Sequence, residues 1–485
     1  MTDIVERRTL FIGGRWTDPA GDDTIAVVSP HTEQVVARVP HATPADVDAA
    51  VNRARDAFDH GPWPRMSLGE RIETVTRIRD GLLARHRELA LLVTLQNGCP
   101  VTTSVPVQAQ SAVAAFTAAL AVAKELRLEE ERTGLTGPLL VRREPVGVVA
   151  AVTPWNVPQL AIAGKLAPAL LAGCAVVLKP SPETPLDAYL LAEVCEKAGL
   201  PEGVLSVLPA DRETSSYLVA HPGIDKVAFT GSVGAGKQIM AAAATNLTRV
   251  TLELGGKSAA ILLEDADLDQ ALPNVVAGAF VNSGQACVAL TRILAPSSRY
   301  DEIAQRLTTA VARLKVGDPS DPTTTIGPLV TKRQQQRNLD YIRIGLAEGA
   351  TLLTGGRVPD HTPTGWYVEP TLFGDVDNAM RIAQEEIFGP VVCLIRYQDE
   401  DDAVAIANAS DFGLAGTVWA GTDEHGIEIA RRIRTGTYSV NCQRFDVAGP
   451  FGGYKNSGIG REFGPEGISA YLETKTVHLP APVQA

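Results

Sequence analysis

Positive charge is the first thing this chain is short of. Its 485 residues carry 44 Lys and Arg against 56 Asp and Glu, a net charge of −12. Nucleic acids and anionic membrane surfaces select basic faces, so neither is an expected partner. An anionic small molecule stays compatible, because loop amides and helix N-termini hold phosphate without net positive charge. Cysteine is scarce too. Cys99, Cys174, Cys195, Cys287, Cys393 and Cys442 are scattered, with no C-x-x-C pair. That spacing argues against zinc and thioredoxin-like sites, and no metal is expected. It suits a reducing compartment, so the expected location is cytoplasmic. The N-terminal MTDIVERRTL lacks an apolar h-region, and no secretory signal is read there. A long unbroken apolar run is also missing. The window from Leu160 to Leu178 has the length of a membrane span, but Lys165 lies inside it, and Pro168 and Gly173 interrupt it. It reads as a buried helix, a turn and a buried strand. Neither an internal repeat nor a low-complexity tract is visible.

What is present is a rhythm. VGVVAAVTP, CAVVLKP, VLSVLP, IDKVAFT and VTLELGG read as strands. Between them lie helical segments, Leu160 to Leu171, Leu186 to Ala198 and KQIMAAAAT. This is the pattern of a parallel sheet with crossover helices. A second α/β series begins near Ser258. SAAILLE and TRILAP read as strands, and Leu268 to Asn282 and Tyr300 to Leu314 as helices. The boundary is expected at Gly255-Gly256. Leu126 to Arg143 and the terminal AYLETKTVHL read as edge strands outside both cores, placed either across a subunit interface or over their own domain.

The stretch FTGSVGAGK spaces Gly231, Gly236 and Lys237 like a nucleotide P-loop. The next residue is Gln238, where a P-loop needs a Ser or Thr hydroxyl for Mg²⁺. A phosphate-facing turn therefore remains while an ATPase is disfavoured. Three other residues carry chemistry. Cys287, in NSGQACVALTR, follows small residues on a loop between a helix and a strand. It is either a reachable nucleophile or a buried small hydrophobe. Glu253 ends an apolar strand, where a carboxylate is expensive to bury. It reads as a structural ion pair or as a general base with a raised pKa. Asn156, braced by prolines and a Trp in TPWNVP, is either a donor to an oxyanion or the cap of the next helix.

TPWNVP, VVLKPSPETP, AFTGSVGAGK, TLELGGKS, NSGQACV, EEIFGPV and PFGGYKNSGIGRE occur in this order. As a set they strongly resemble the aldehyde dehydrogenase superfamily across essentially the whole chain. The resemblance implies two doubly wound α/β domains plus a small β extension. The Rossmann-like cofactor domain would take residues 1–123 and 146–257, the catalytic domain 258–470, and the oligomerisation extension 124–145 and 471–485. A homodimer or homotetramer would follow. In that family an aldehyde is attacked by the thiolate matching Cys287. The thioester formed after oxidation is hydrolysed by a water that the carboxylate matching Glu253 activates. Asn156 would hold the oxyanion, and Lys165 and Glu462 match a proton relay behind the base. The glycine turn, Gly231, Ser232 and Gly236, would face the cofactor pyrophosphate. Lys179 would reach the adenosine ribose, Glu386 and Phe388 the nicotinamide side, and Trp155 and Leu254 would pack near them. Pro182 stands where NAD-preferring members often carry a Glu, and Glu183 follows. NAD is the expected cofactor, with NADP as the alternative. Val157, Leu160, Ala161 and Gly164 are small for the family, and Phe445 and Phe451 fall on the loop expected to wall the substrate tunnel. An apolar aliphatic, aromatic or terpenoid-like aldehyde is the expected substrate. Arg444 reads as a surface arginine or, against the apolar reading, as the partner of a carboxylate that the substrate of a semialdehyde dehydrogenase would bring. A CoA-acylating variant is the other alternative, and Glu253 argues against it.

Overall fold

The computed structural model describes residues 4–480. The C-terminal part of the expected extension, 481–485, lies outside them. The segments read as buried strands form one large sheet. In spatial order it runs Gly458–Ile459, Arg249–Glu253, Lys226–Thr230, Val148–Val152, Ala175–Lys179, Leu205–Val207, Leu10–Ile12, Arg15–Thr17. Its five central strands are parallel, and its edges are antiparallel. These strands are apolar on both faces because helices cover both sides. Val148–Val152 is the first central strand in the chain. The next two add to one side of it, and then Lys226–Thr230 returns to the other side. The crevice at the C-terminal ends of those two strands is a topological switch point, where open α/β sheets bind their ligands.

A second sheet runs Thr351–Thr354, Thr371–Gly374, Val391–Tyr397, Arg292–Pro296, Ala259–Leu262, Gly416–Trp419, Ser439–Val440, parallel except at its first edge. Gly255 and Gly256 lie between the two sheets. The crossing is made twice, because Gly458–Ile459 returns to pair with Leu252 and Glu253 of the first sheet. This return sets Glu462 and the following Gly464–Ser469 helix against the first domain. Leu472–His478, Pro138–Pro145 and Glu129–Thr133 form a separate antiparallel sheet.

The apolar Leu160–Leu178 window divides as its breakers dictate. Pro158–Ala172 is a helix, Gly173 takes φ 100° as its left-handed cap, and Ala175–Lys179 is a strand. Every residue of that helix is buried, including Lys165, whose charge is met by Glu462. The helix Val101–Glu125 is also long and apolar enough to cross a bilayer. It contributes Ala112, Phe116 and Leu120 to the same core as the Pro158–Ala172 helix. The Leu268 helix is shorter than its sequence suggests, ending at Phe280. Asn282 and Ser283 turn left-handed, with φ 48° and 57°. Their side chains pay for the departure from helix: Asn282 donates to the Asn156 carbonyl at 3.0 Å, and Ser283 to the Gly327 carbonyl at 2.9 Å. The Cys287 loop begins there.

Candidate active site

The switch-point crevice is a cavity of about 1040 Å³. Three strand ends supply its first wall. Val148–Val152 leads into Trp155, Asn156 and Val157; Lys226–Thr230 leads into Gly231 and Ser232; Arg249–Glu253 leads into Leu254 and Gly255. Cys287, Glu386 and Phe388 arrive from the second domain. Nine sequence-predicted residues therefore line one space: Trp155, Asn156, Val157, Gly231, Ser232, Leu254, Cys287, Glu386 and Phe388.

The loop bearing Asn156 is held rigidly. Asn97 donates to the Trp155 carbonyl at 2.9 Å, and Gln108 and Asn282 donate to the Asn156 carbonyl at 2.8 and 3.0 Å. The Asn156 amide does not cap the next helix, which begins without a side-chain cap at Val157. It donates instead to the Gln285 carbonyl at 3.0 Å, two residues before Cys287. This ties the amide of a cavity-lining residue to the thiol loop. Trp155 and Phe388 meet edge to face, with ring centroids 5.3 Å apart.

Two glycines make the remaining contacts feasible. Glu386 accepts from the Gly256 N–H at 2.9 Å. A Cβ on Gly255 would lie 2.4 Å from a Glu386 carboxylate oxygen, and one on Gly256 2.2 Å from the Cys287 carbonyl. The ELGGK glycines thus admit a carboxylate and the thiol loop against bare backbone. Gly256→Ala is expected to cost about 1–3 kcal/mol through overpacking and to displace Cys287. A lower unfolding midpoint together with a loss of turnover would show this; two unchanged values would contradict it.

Electrostatics favour protonated groups at rest. Burial, with Glu386 and Glu253 adding to it, pushes the Cys287 thiol up to about 12. The thiol is nonetheless only half-buried, since it faces the cavity. Glu253 sits just behind the wall, 2% exposed, and neither carboxylate oxygen has a hydrogen-bond partner among the described residues. Burial and then the nearby Glu462 charge raise its pKa well above the ordinary carboxyl range; Lys165 and Arg461 oppose this in part. An unpartnered buried carboxyl whose charge is felt at the thiol has the properties of a general base. Behind it, Lys165 donates to Glu462 at 2.6 Å and to Thr230 at 2.5 Å. The three ionisable groups Glu253, Lys165 and Glu462 thus form one buried set.

The glycine turn leads into a helix. Ser232 caps the Val233–Asn246 helix by accepting from the Ala235 N–H at 3.3 Å, and the Gly231 N–H donates to the Glu253 carbonyl at 3.0 Å. The helix N-terminus therefore opens onto the cavity. Gly236 is not on the cavity wall. It lies within the helix, where a Cβ would meet Leu254 at 2.6 Å, so it serves close packing rather than ligand approach. Gln238 is bonded to Arg212 at 2.8 Å. Lys179 and Glu183 lie beyond the cavity lining. Lys179 is 7% exposed, and burial lowers its pKa to about 8 against the pull of Glu183 and Asp211. Its ammonium makes no hydrogen bond among the described residues, which suits a ligand hydroxyl.

Leu160 and Ala161 are buried on their helix and do not line the large cavity. Phe445 and Phe451 line a second, smaller cavity with Arg444 and Val288, the residue after the Cys287 that lines the large one. The sequence reading missed the far wall of the large cavity. Lys332, Arg333, Gln334 and Arg337, from the Lys332–Ala347 helix, line it with Arg381. Arg337 donates to the Glu386 carbonyl at 2.6 Å, fixing the loop that presents Glu386 and Phe388. The only sequence signal was the basic run KRQQQR after a capping Thr331.

A fold of two parallel sheets with a cysteine, a buried carboxyl and a carboxamide between them defines an enzyme of nucleophilic thiol chemistry. A sequence model of the aldehyde dehydrogenase family matches residues 16–477, and the chain belongs to that family. It is 46% identical to geranial dehydrogenase of Castellaniella defragrans, over 98% of this chain and 99% of that protein. It is 42% identical to a 3-succinoylsemialdehyde-pyridine dehydrogenase of a Pseudomonas species, over 97% and 98% of the two chains. Among solved structures, a Mycobacterium tuberculosis aldehyde dehydrogenase complexed with NAD+ superposes with a TM-score of 0.98 at 49% identity, each chain covered in full (100% and 100%). Aldehyde dehydrogenase C of Pseudomonas syringae, a cysteine-to-alanine mutant in complex with NAD+ and octanal, gives 0.95 at 41% identity, with 98% of each chain covered. The protein is an aldehyde dehydrogenase.

Proposed function

We propose that the protein oxidises an apolar aldehyde to its carboxylic acid with NAD+, through a thioester on Cys287. The observation that carries the hydrolytic half is Glu253, a buried carboxyl with no protein partner and a raised pKa, behind the thiol. The residues present fit the cofactor. The helix N-terminus at Ser232 would take its phosphates, Lys179 its adenosine ribose, and Glu386, Phe388 and Trp155 its nicotinamide end. The bound nicotinamide supplies the hydride acceptor.

The protein's own residues do the rest. The Cys287 sulfur bonds to the carbonyl carbon once its proton is taken, and Glu253 is the acceptor in reach of that charge. The oxygen that becomes negative is held by the second Asn156 N–H and the Cys287 backbone N–H. After oxidation, Glu253 takes a proton from water, whose oxygen attacks the thioester carbon, and the Cys287 sulfur leaves as thiolate. Lys165 and Glu462 carry the proton away from Glu253.

NAD+ is favoured because the solved relatives carry it, and because Glu183 beside Lys179 opposes a 2′-phosphate. The apolar substrate is supported by Phe445 and Phe451 around the second cavity, and by relatives named for geranial or bound to octanal. Arg444 supports a second reading. It lines the same cavity and has no ion-pair partner among the described residues, so it is free to meet a carboxylate. A relative named for a semialdehyde agrees with that reading. Arg444→Leu decides between them. The apolar reading expects the best substrate to survive within about threefold, as for a surface residue. Abolished turnover of the best substrate, with simple alkanals spared, would establish the carboxylate reading instead.

A further inference from the structure

Phe463 has no part in the chemistry above, yet it is held in an unusual way. It follows Glu462 with φ 59° and ψ 172°, a left-handed conformation that a bulky residue adopts only under constraint. Its ring joins two others. Phe463 is 5.8 Å from Phe445 and 6.4 Å from Phe451, and those two are 5.1 Å apart. All three pairs are tilted or edge to face, so the rings form one continuous aromatic wall.

The other edge of the Phe463 ring presses on the Pro158–Ala172 helix at Gly164. A Cβ there would lie 2.9 Å from both Cε1 and Cζ of the ring. Glycine inside a helix is costly, and here it makes room for the ring. The two sides of the ring differ. On one, Phe445 and Phe451 share a cavity with Val288, the neighbour of Cys287. On the other lies a narrow recess of about 10 Å³, lined by Phe463 together with Ala119, Ala163, Pro168, Val447 and Ile468.

We propose that the Phe463 ring, seated on Gly164, is the partition that ends the aldehyde tunnel and sets the longest alkyl tail the enzyme takes. A tail entering past Phe445 and Phe451 stops at this ring, and the recess behind it is closed. The proposal rests on the apolar-aldehyde reading above. Removing the ring opens its own volume, with the small recess beyond it, to the tunnel, and each further methylene that finds apolar cover there should raise kcat/KM about fourfold.

The test is kcat/KM for straight alkanals from propanal to dodecanal, and for succinic semialdehyde, in the wild type, Phe463→Leu, Phe463→Ala and Gly164→Ala. The quantity read is the dodecanal-to-propanal ratio within each protein, so a loss of folded or active enzyme cancels. The ratio should rise at least about tenfold in Phe463→Ala and less in Phe463→Leu. It should fall in Gly164→Ala, whose new Cβ drives the ring toward the tunnel. A ratio unchanged in all three variants overturns the partition. A wild type that prefers succinic semialdehyde over every alkanal overturns the apolar reading instead, and the ratios still decide the role of the ring.

Discussion

Cys287→Ala is expected to lose turnover by roughly 10⁴–10⁶-fold, the scale seen when a covalent nucleophile is removed. The loss should fall on kcat, because the cofactor walls do not depend on the thiol. Ser232, Glu386, Phe388 and Trp155 reach the cavity from other elements. Cofactor titration of the variant should therefore give an affinity within about threefold of wild type. Fluorescence titration with NAD+ beside a reduced-cofactor assay measures both. A variant that loses cofactor binding would mean that the thiol loop is a structural element. A variant that keeps turnover would place the chemistry elsewhere.

Glu253→Gln carries the second large effect. Steady-state kcat should fall by about 10²–10⁴-fold, the range of a general base. Because Glu253 also takes the thiol proton, the variant should form its first equivalent of reduced cofactor per site more slowly than wild type, and then stall because the thioester is not hydrolysed. Stopped-flow absorbance reads this directly. A burst lost in proportion to kcat would move its main role to thiol activation. The same substitution has a stability signature. The folded-state pKa of Glu253 is raised, so wild-type stability falls as pH climbs from the unfolded carboxyl value of about 4.3 toward the folded value. Glutamine titrates in neither state. The variant should gain on wild type in unfolding midpoint as pH rises above about 5, and equal midpoints would contradict a strained buried carboxyl.

The acid limb of the wild-type pH profile follows from the same groups. The thiol is pushed up to about 12, and Glu253 lies well above its usual range. Both act deprotonated, so activity in the free enzyme rises with pH across neutrality.

Much of this was legible in the sequence because local pattern and burial agree. The parallel strands announced themselves as apolar runs, and the breakers Pro168 and Gly173 divided a window that otherwise resembles a membrane span. Glu253 stood out because a carboxylate ending an apolar strand has few benign explanations. Tertiary relations were not legible. The early end of the helix at Phe280 depends on Asn282 and Ser283 finding carbonyls at Asn156 and Gly327, both far away in the chain. The spacing of Gly236 mimics a phosphate loop, while its neighbour in space is Leu254. The basic wall at Lys332 to Arg337 reads as an ordinary solvated helix face until the second domain sets it over the cavity. The return of Gly458–Ile459 to the first sheet places Phe463 against Gly164, a contact that no local pattern shows.

The thioester on Cys287 can be trapped and weighed. Glu253→Gln is mixed with NAD+ and octanal, quenched after the burst, digested, and the Cys287 peptide is weighed by mass spectrometry. An octanoyl adduct is expected on the Cys287 sulfur, in amount equal to the reduced cofactor formed and absent when NAD+ is withheld. Reduced cofactor without any adduct on Cys287 would contradict it.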